Sequence, residues 1–240
     1  MIVFESVSKV YPNTFRAGDS LRTQFAFKKA RESSSFTALS NVSFTLEKGE
    51  SIGIIGHNGA GKSTLLKLLT RISRPTSGSI TVDGKMSCLL EVGAGFHHDL
   101  SGYENIFLAG AILGMSRRDI NSRLASIIEF TELGDFINSP VRQYSSGMFL
   151  RLAFSVGIHL GSDILVIDEA LAVGDQIFRS RCLQKIKHFQ QQGGTLVLVS
   201  HDENQVRAVC DRALLLTQGC LVFDGNVEPA LLHYNLLPRG

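Results

Sequence analysis

The sequence predicts an α/β fold with functional loops at the ends of its strands, and three stretches support that prediction. A short apolar strand at residues 50–55 runs into a glycine-rich loop and then into leucines at helical spacing. An apolar run at residues 163–169 ends in two acids, and another at residues 195–199 ends in Ser200 and His201. Ligands of open α/β sheets gather at the carboxyl ends of the strands, so these loops are candidate binding sites.

The composition of the chain indicates a globular protein and excludes some kinds of partner. The chain has 240 residues, 44% of them hydrophobic and 19% charged, which suits one α/β domain with a large core or two small lobes. A formal net charge of +2 gives no sign of a polyanionic partner, so we expect no nucleic acid. The four cysteines lack metal-ligand spacing and are expected as reduced thiols in the cytosol. Without a signal sequence or a long apolar run, we expect that the chain does not enter a membrane alone.

The first predicted element is a strand over residues 2–11 that ends at Tyr11. Residues 12–36 interrupt the pattern with turn formers and an excess of basic side chains. Two interpretations of this basic insertion stay open: a solvated surface excursion, or an amphipathic element that faces a membrane or the cytoplasmic side of a membrane protein. A second strand is predicted at residues 37–46.

The next strand leads into a loop that matches the phosphate-binding pattern G-x-x-x-x-G-K-[ST] without a gap. Its glycines let backbone N–H groups approach phosphate oxygens, and the helix start adds partial positive charge. Lys62 can reach the β and γ phosphates, and Ser63 offers a hydroxyl to Mg²⁺. The alternative is a tight connection that binds nothing. The candidate nucleotide-binding residues of this phosphate loop are Gly56, His57, Asn58, Gly59, Ala60, Gly61, Lys62, Ser63 and Thr64.

Two further strands are predicted at residues 79–84 and 86–90. A glycine-rich stretch, residues 91–99, follows them and is too rich in glycine to be regular. It contains His97 and His98, which suggest either a metal site or a loop that faces solvent or a membrane partner.

The middle third is predicted to be helical. Ser116 and Asp119 form a capping box, and apolar residues follow at helical spacing as far as Ile128. We expect a helical lobe between about residues 102 and 140 which, with the next helix, extends to about residue 160 as a subdomain inserted in the α/β core.

Three later stretches carry candidate chemistry. The segment Ser145–Gly147 begins a helix, where it either offers donors to an anion or only caps the helix. Asp168 is placed to hold Mg²⁺ through water and Glu169 to accept a proton from an attacking water, unless the strand simply ends in solvated acids. His201 is either a phosphate contact at a strand end or an ordinary surface histidine.

The remaining elements are predicted to be structural. An amphipathic helix over residues 177–189 stops at a glycine pair, and the tail from Arg212 reads as a strand, a turn and an apolar helix through Leu232.

Taken in order, the phosphate loop, the Ser-Ser-Gly segment, the apolar strand with Asp168 and Glu169, and the late His201 resemble the ATP-hydrolysing subunit of an ABC transporter over nearly the whole chain. The resemblance implies the ABC cassette: a P-loop NTPase with a RecA-like core, an antiparallel β subdomain and a helical subdomain. It also implies a single ABC ATPase domain over residues 1–240 that binds ATP and Mg²⁺.

Roles for individual residues follow from the resemblance by position. Tyr11 would stack on adenine, and Asp168 would support Mg²⁺. Glu169 would be the catalytic base, and His201 would contact the γ phosphate. Asp175 matches the nucleotide-binding loop that follows the base.

The resemblance also implies a homodimer. Ser145, Ser146 and Gly147 would touch ATP bound to a second copy of the chain, so that both sites are complete only in the closed pair. The segment departs from the family's usual Leu-Ser-Gly-Gly-Gln, because Tyr144, Ser146 and Met148 replace three of its members.

Glu91 stands where the family's mobile loop has glutamine, and its carboxylate is a candidate Mg²⁺ ligand through water. Glu91, the Tyr-Ser-Ser-Gly-Met segment and the basic insertion at residues 12–36 are three departures from the family's usual pattern. In these departures the chain is similar to cassettes that export lipid-linked polysaccharides such as O antigen or teichoic acid. This implies a separate integral membrane permease as partner, a lipid-linked polysaccharide as substrate of the complex, and a peripheral location at the cytoplasmic face of the plasma (inner) membrane. The alternatives are a cassette that energises transport of another substrate and a soluble ABC-type ATPase that acts on nucleic acid or ribosomes.

Overall fold

The computed structural model describes residues 1–12, 35–88, 95–112, 114–159, 161–168 and 175–237. Predictions that concern Glu91, Glu169 and most of the basic insertion lie outside the described residues.

The described strands agree closely with the sequence predictions, except that the turn predicted in the tail joins two strands and not a strand and a helix. The strand predicted over residues 86–90 is described at Met86–Cys88, and residues 89 and 90 lie outside the described part. The strands are β1 (Ile2–Pro12), β2 (Ser35–Leu46), β3 (Ser51–Ile55), β4 (Ser77–Val82), β5 (Met86–Cys88), β6 (Ile164–Asp168), β7 (Thr195–Val199), β8 (Arg212–Thr217) and β9 (Cys220–Asn226).

Most of the described helices occupy regions that the sequence predicted to be helical. Two short 3₁₀ turns, Gly134–Asn138 and Val141–Gln143, join the third helix to the fourth. The helices are α1 (Lys62–Leu69), α2 (Gly102–Ile112), α3 (Arg117–Thr131), α4 (Ser146–His159), α5 (Gln176–Gln191), α6 (Glu203–Val209) and α7 (Val227–Leu236). None of these described helices combines the length and apolarity that crossing a bilayer requires.

The larger sheet places the candidate loops together. Its strand order is β5-β6-β7-β3-β8-β9, in which β5, β6, β7, β3 and β8 run parallel and β9 runs antiparallel. Strands β3 and β7 are buried at every position, as expected for strands that are covered on both faces. Because β7 lies between β3 and β6, the loops that follow these three strands meet at one edge of the sheet.

Helices and a second sheet cover the two faces of the larger sheet. One apolar cluster joins it to α4, α5, α6 and α7, with Phe154 and Phe178 fully buried. The other joins it to α1 and to the antiparallel sheet of order β2-β1-β4. A third cluster, centred on Ile106, Ile127 and Leu152, packs α2, α3 and α4 against one another. The chain thus carries a helical lobe with its own core.

Capping explains where two of these helices begin. The Ser116 hydroxyl accepts a hydrogen bond from Asp119 N at 3.2 Å and donates one to the Asp119 carboxylate at 2.6 Å, which confirms the predicted capping box. Helix α6 was not predicted. Its N-cap is Asp202, whose carboxylate accepts from Asn204 N at 2.9 Å, and only two of its residues, Val206 and Val209, are buried.

Candidate functional site

The phosphate loop connects β3 to α1 and is shaped by Gly61. This residue is the N-cap of α1, with φ of 107°, a conformation that glycine adopts without strain. A Cβ added at Gly61 would lie 2.8 Å from the Ala38 carbonyl oxygen of β2. Gly61 has no side chain to cap the helix, and the first N–H groups of an α-helix point toward the site where an anion would bind.

Lys62 is held against the loop that it follows. Its ammonium group donates hydrogen bonds to the Gly56 carbonyl at 2.6 Å and to the His57 carbonyl at 3.0 Å. The residue is only 8% exposed, although it carries a full charge. These two bonds fix the ammonium group beside the backbone N–H groups of the loop, where a phosphate would be bound.

A cavity of about 360 Å³, the phosphate-loop cavity, joins this loop to the end of β6. It brings together seven of the predicted site residues. They are Asn58, Gly59, Gly61, Lys62, Ser63, Thr64 and Asp168. Phe36, Ala38 and Val199 line the same cavity and were not predicted. Phe36 was missed because its position was assigned to the basic insertion instead of to β2.

The oxygen atoms of the phosphate-loop cavity suit Mg²⁺. Ser63 contributes a hydroxyl and Asp168 a carboxylate, and both belong to the class of hard oxygen ligands that Mg²⁺ prefers. Such an ion keeps several waters and is held by one or two protein groups together with substrate phosphates. The residues present therefore fit a magnesium nucleotide.

His201 lies beside the phosphate loop. A neighbouring cavity of about 520 Å³, which we call the histidine cavity, is lined by His201, Glu203 and Tyr234 together with His57 and Asn58 of the loop. The His57 ring packs against the Tyr234 ring with centroids 4.9 Å apart, which places His57 on this side of the loop. The two cavities share Asn58, so the strand-end histidine and the phosphate loop form one continuous region.

Tyr11 lies next to this region but lines neither cavity in the described part of the chain. It pairs with Phe36 across β1 and β2, and the Lys9 ammonium group lies 5.0 Å from the centre of its ring. Phe36 is 59% exposed and does reach the phosphate-loop cavity. Phe36 therefore lines the phosphate-loop cavity with Tyr11 opposite it on β1, and adenine stacking by Tyr11 stays a prediction.

The Ser-Ser-Gly segment forms the exposed start of α4, away from both of these cavities. The Ser145 hydroxyl accepts from Met148 N at 3.2 Å, so the predicted cap is present. Contact between Ser145, Ser146 or Gly147 and a nucleotide stays a prediction, which by its nature requires a second copy.

Asp175 is the N-cap of α5, and its carboxylate accepts from Phe178 N at 2.8 Å. The same carboxylate pairs with Arg151 of α4 at 2.7 Å, and Arg151 also contacts Glu132 at 2.6 Å. The backbone hydrogen bond from Phe178 and the charge of Arg151 hold the Asp175 pKa below its usual value. Asp175 thus ties the start of α5 to α4, while its contact with nucleotide stays a prediction.

The histidines of the glycine-rich stretch have protein partners. The His97 ring accepts from Asp99 N at 3.2 Å, and the His98 ring faces Phe149 with centroids 6.5 Å apart. The residues described by the structure contain no group of three or more metal-ligating side chains, so nothing there favours the metal interpretation.

Comparisons with known proteins identify a family and relatives of similar sequence. The family model described as ABC transporter matches residues 39–172. The chain is 42% identical over 235 residues to the O-antigen export system ATP-binding protein RfbB of Klebsiella pneumoniae, covering 95% of this chain and 94% of that protein. It is 52% identical over 192 residues to the protein of the same name from Myxococcus xanthus, covering 80% of this chain but only 44% of that longer protein.

Solved structures confirm the predicted fold. The chain is similar to the ATP-binding cassette MJ0796, solved as a dimer in a post-hydrolysis state with ADP and Pi, with a TM-score of 0.76 at 23% identity. The match covers 95% of this chain and 99% of that one. At this identity the likeness establishes the cassette fold, with its parallel sheet and its antiparallel β part.

Proposed function

Because the chain belongs to the ABC transporter family, we propose that it is the ATP-hydrolysing subunit of a transporter that exports a lipid-linked polysaccharide. The observation that carries this proposal is the 42% identity, over 95% of the chain, to a protein named for O-antigen export. The geometry supports it, because one cavity joins the phosphate loop to Asp168 at the carboxyl end of β6. The chain spans under half of the Myxococcus relative, so activities in the rest of that protein are not transferred.

The phosphate loop accounts for the binding of ATP. Backbone N–H groups from Gly59 to Ser63 surround the phosphates, and Lys62 supplies a positive charge at the β and γ positions. Ser63 and Asp168 would hold Mg²⁺, directly or through water, and the ion neutralises charge on the phosphate oxygens when bound. Glu91, outside the described residues, is the third candidate ligand.

In this proposal hydrolysis uses a base and a second group that contacts the terminal phosphate. Glu169 follows Asp168 directly and is the base in this proposal, taking a proton from the attacking water. His201 contacts the γ phosphate from the histidine cavity, which adjoins the phosphate loop. Both roles are supported by position and by the family pattern.

The complete site needs two copies of the chain. The exposed start of α4 presents Ser145, Ser146 and Gly147 for contact with ATP held by the partner copy. Binding of ATP to the closed pair shifts the population toward closure, and hydrolysis releases it. The known dimer of the similar cassette MJ0796 is consistent with this arrangement.

Coupling to transport needs a membrane permease. In this proposal a separate integral membrane protein provides the path for the polysaccharide. We place the contact with that permease at the helical lobe and residues 93–99, and the chain at the cytoplasmic face of the plasma membrane.

The catalytic part of the proposal is tested by Glu169→Gln, with Glu129→Gln on the exposed face of α3 as a matched control. Removal of the base should slow ATP turnover by about 10²-fold or more while ATP binding is kept. The same variant should become a dimer in saturating ATP, measured by light scattering. Turnover near that of the control, or a monomer with ATP bound, would contradict these roles.

The transport part needs a different measurement. Purification of the chain from its native membrane should bring along a multi-span protein, identified by mass spectrometry. Reconstituted together in vesicles, the two should move lipid-linked polysaccharide only with Mg²⁺ and ATP. Hydrolysis without such movement would keep the ATPase assignment and reject the substrate.

A further inference from the structure

A second cavity lies at the opposite edge of the parallel sheet. Its volume is about 510 Å³, within the range of small-molecule sites. It is formed where the chain enters β3, β6 and β7, whereas the phosphate loop lies where the chain leaves β3. Helices α3 and α5 complete its walls. We call it the basic cavity, after the side chains Lys48, Arg123, His159, Lys185 and His188, which line it together with Asp163.

The cations of the basic cavity form no ion pair with the carboxylates that the structure describes. Within the described ranges of the chain, neither Lys48 nor Arg123 nor Lys185 lies within ion-pair distance of a carboxylate. Other arginines of the described chain do form ion pairs, for example Arg151 with two acids. Arg123 donates a hydrogen bond to the His159 carbonyl at 2.6 Å, which positions its guanidinium group. Its charge also lowers the pKa of Asp119, one turn earlier on α3, but no ion pair forms between the two side chains.

The positive charges also act on each other. Burial and the charge of Arg123 both lower the pKa of Lys185, so the two cations lie close enough to repel. Asp163 is the one carboxylate among the described residues of the lining, and one of its oxygens already accepts from Lys85 N at 2.8 Å. Folding therefore brings positive charges close together here, which costs electrostatic free energy.

We propose that the basic cavity binds a small phosphorylated anion, at a site separate from the phosphate loop. Phosphate oxygens are strong acceptors for arginine and lysine donors, and several cations around one cavity suit a group with two or more negative charges. Ser122 and Ser126 on α3 and Ser162 before β6 add hydroxyl groups to the lining.

The location gives such an anion a structural effect. Arg123 belongs to α3 of the helical lobe, whereas Lys185 belongs to α5 of the core and Lys48 to the turn before β3. An anion between them replaces the repulsion of Arg123 and Lys185 by two attractions. The ligand would thus hold the helical lobe against the core.

The test uses NMR of the full chain with isotope-labelled glycine, since glycines line both sites. Pyrophosphate is titrated without Mg²⁺. The amides of Gly161, Gly193 and Gly194 report on the basic cavity, and those of Gly59 and Gly61 report on the phosphate loop in the same spectrum. We expect saturable shifts at Gly161, Gly193 and Gly194 with a dissociation constant at or below about 1 mM. Shifts confined to Gly59 and Gly61 would overturn the proposal.

Charge variants separate a site from general attraction. Lys185→Gln should weaken pyrophosphate binding at the basic cavity by about tenfold, the loss of one charge-assisted hydrogen bond. Lys187→Gln removes the same charge two residues away on α5, at an exposed position outside the cavity, and should change the affinity little. Equal weakening by both variants would overturn the site. Lys48→Gln, at an exposed turn, repeats the measurement where folding is not at risk.

The source of the phosphate group is resolved by separate titrations. Inorganic phosphate should bind the same glycines more weakly than pyrophosphate, because fewer charges meet the cations. Vesicles of phosphatidylglycerol should shift these amides no more than vesicles of phosphatidylcholine do. Binding to the anionic vesicles alone, without saturation by either soluble anion, would contradict a cavity for small phosphorylated molecules.

Discussion

The phosphate-loop cavity and the basic cavity both attract anions, and they are built in different ways. The anion-binding part of the first cavity comes from one continuous stretch, which supplies backbone N–H groups and a single lysine. Two carbonyl groups of the same loop hold Lys62 in place. The second comes from side chains that are separated by more than sixty residues along the chain, such as Lys48, Arg123 and Lys185. A site built from backbone is encoded in a short motif, whereas a site built from side chains exists only after folding.

The largest expected effect tests the backbone-built site. Gly61→Ala places a Cβ 2.8 Å from the Ala38 carbonyl oxygen at a backbone φ of 107°. The loop must shift, and the loss of two or more charge-assisted hydrogen bonds to phosphate should weaken ATP binding on the order of 10²-fold to 10³-fold. Isothermal titration calorimetry with ATP measures the change.

Gly134→Ala is the matched control for that prediction. Gly134 has a φ of 54°, no atom lies within 4 Å of an added Cβ, and the residue lines neither cavity. The substitution should cost about 1 kcal/mol of stability through backbone strain while ATP binding stays near normal. If Gly61→Ala binds ATP as well as Gly134→Ala does, the inference that the loop backbone approaches phosphate closely is wrong.

Gly61 also shows which features of the structure can be predicted from the sequence. Gly61 was assigned a role because a complete motif surrounds it, and the capping box at Ser116 was predicted for the same reason. The basic cavity left no such signal, because Lys48 stands in a turn, Arg123 on one helix and Lys185 on another. Helix α6 was missed because only two of its residues are buried, too few for a periodic pattern.

The residues of the phosphate-loop cavity also differ in whether a local motif predicts them. Asn58 to Thr64 were found because their neighbours in sequence are their neighbours in space. Phe36 reaches the phosphate-loop cavity by pairing of β2 with β1 opposite Tyr11, which no local spacing reveals. Glu169 lies outside the described residues, and its role rests on its position after Asp168.

The next effect in size concerns His159, the buried histidine in the lining of the basic cavity. Burial lowers the pKa of His159 to about 4, with smaller contributions from the charges of Lys185 and Arg123. In the unfolded chain the group titrates near 6.5. Between these values the unfolded state binds a proton that the folded state excludes. Stability from this group is therefore complete above about pH 6.5 and decreases as the pH falls toward 4.

Integration over that range gives a loss of about 2 kcal/mol between pH 7.5 and pH 5. Urea unfolding of the wild type and of His159→Gln at both values measures it. The free energy of unfolding of the variant should decrease less with falling pH, by about that amount. Parallel curves would mean that the folded and unfolded states bind this proton equally well, so that neither burial nor the neighbouring cations lower the pKa of His159.

The smallest expected effect sharpens the comparison by raising the affinity of one cavity alone. Asp163→Asn removes the single carboxylate from the described lining of the basic cavity, and the asparagine carbonyl can still accept from Lys85 N. Since one partly solvated charge contributes at most about 1 kcal/mol, pyrophosphate binding there should tighten roughly threefold. Asp135→Asn, an exposed acid in the helical lobe that lines neither cavity, should leave it unchanged. ATP affinity at the phosphate loop should be the same in both variants, because that site is built from its own backbone. Equal tightening by the two variants would mean that net charge, and not the arrangement of side chains around the cavity, attracts the anion.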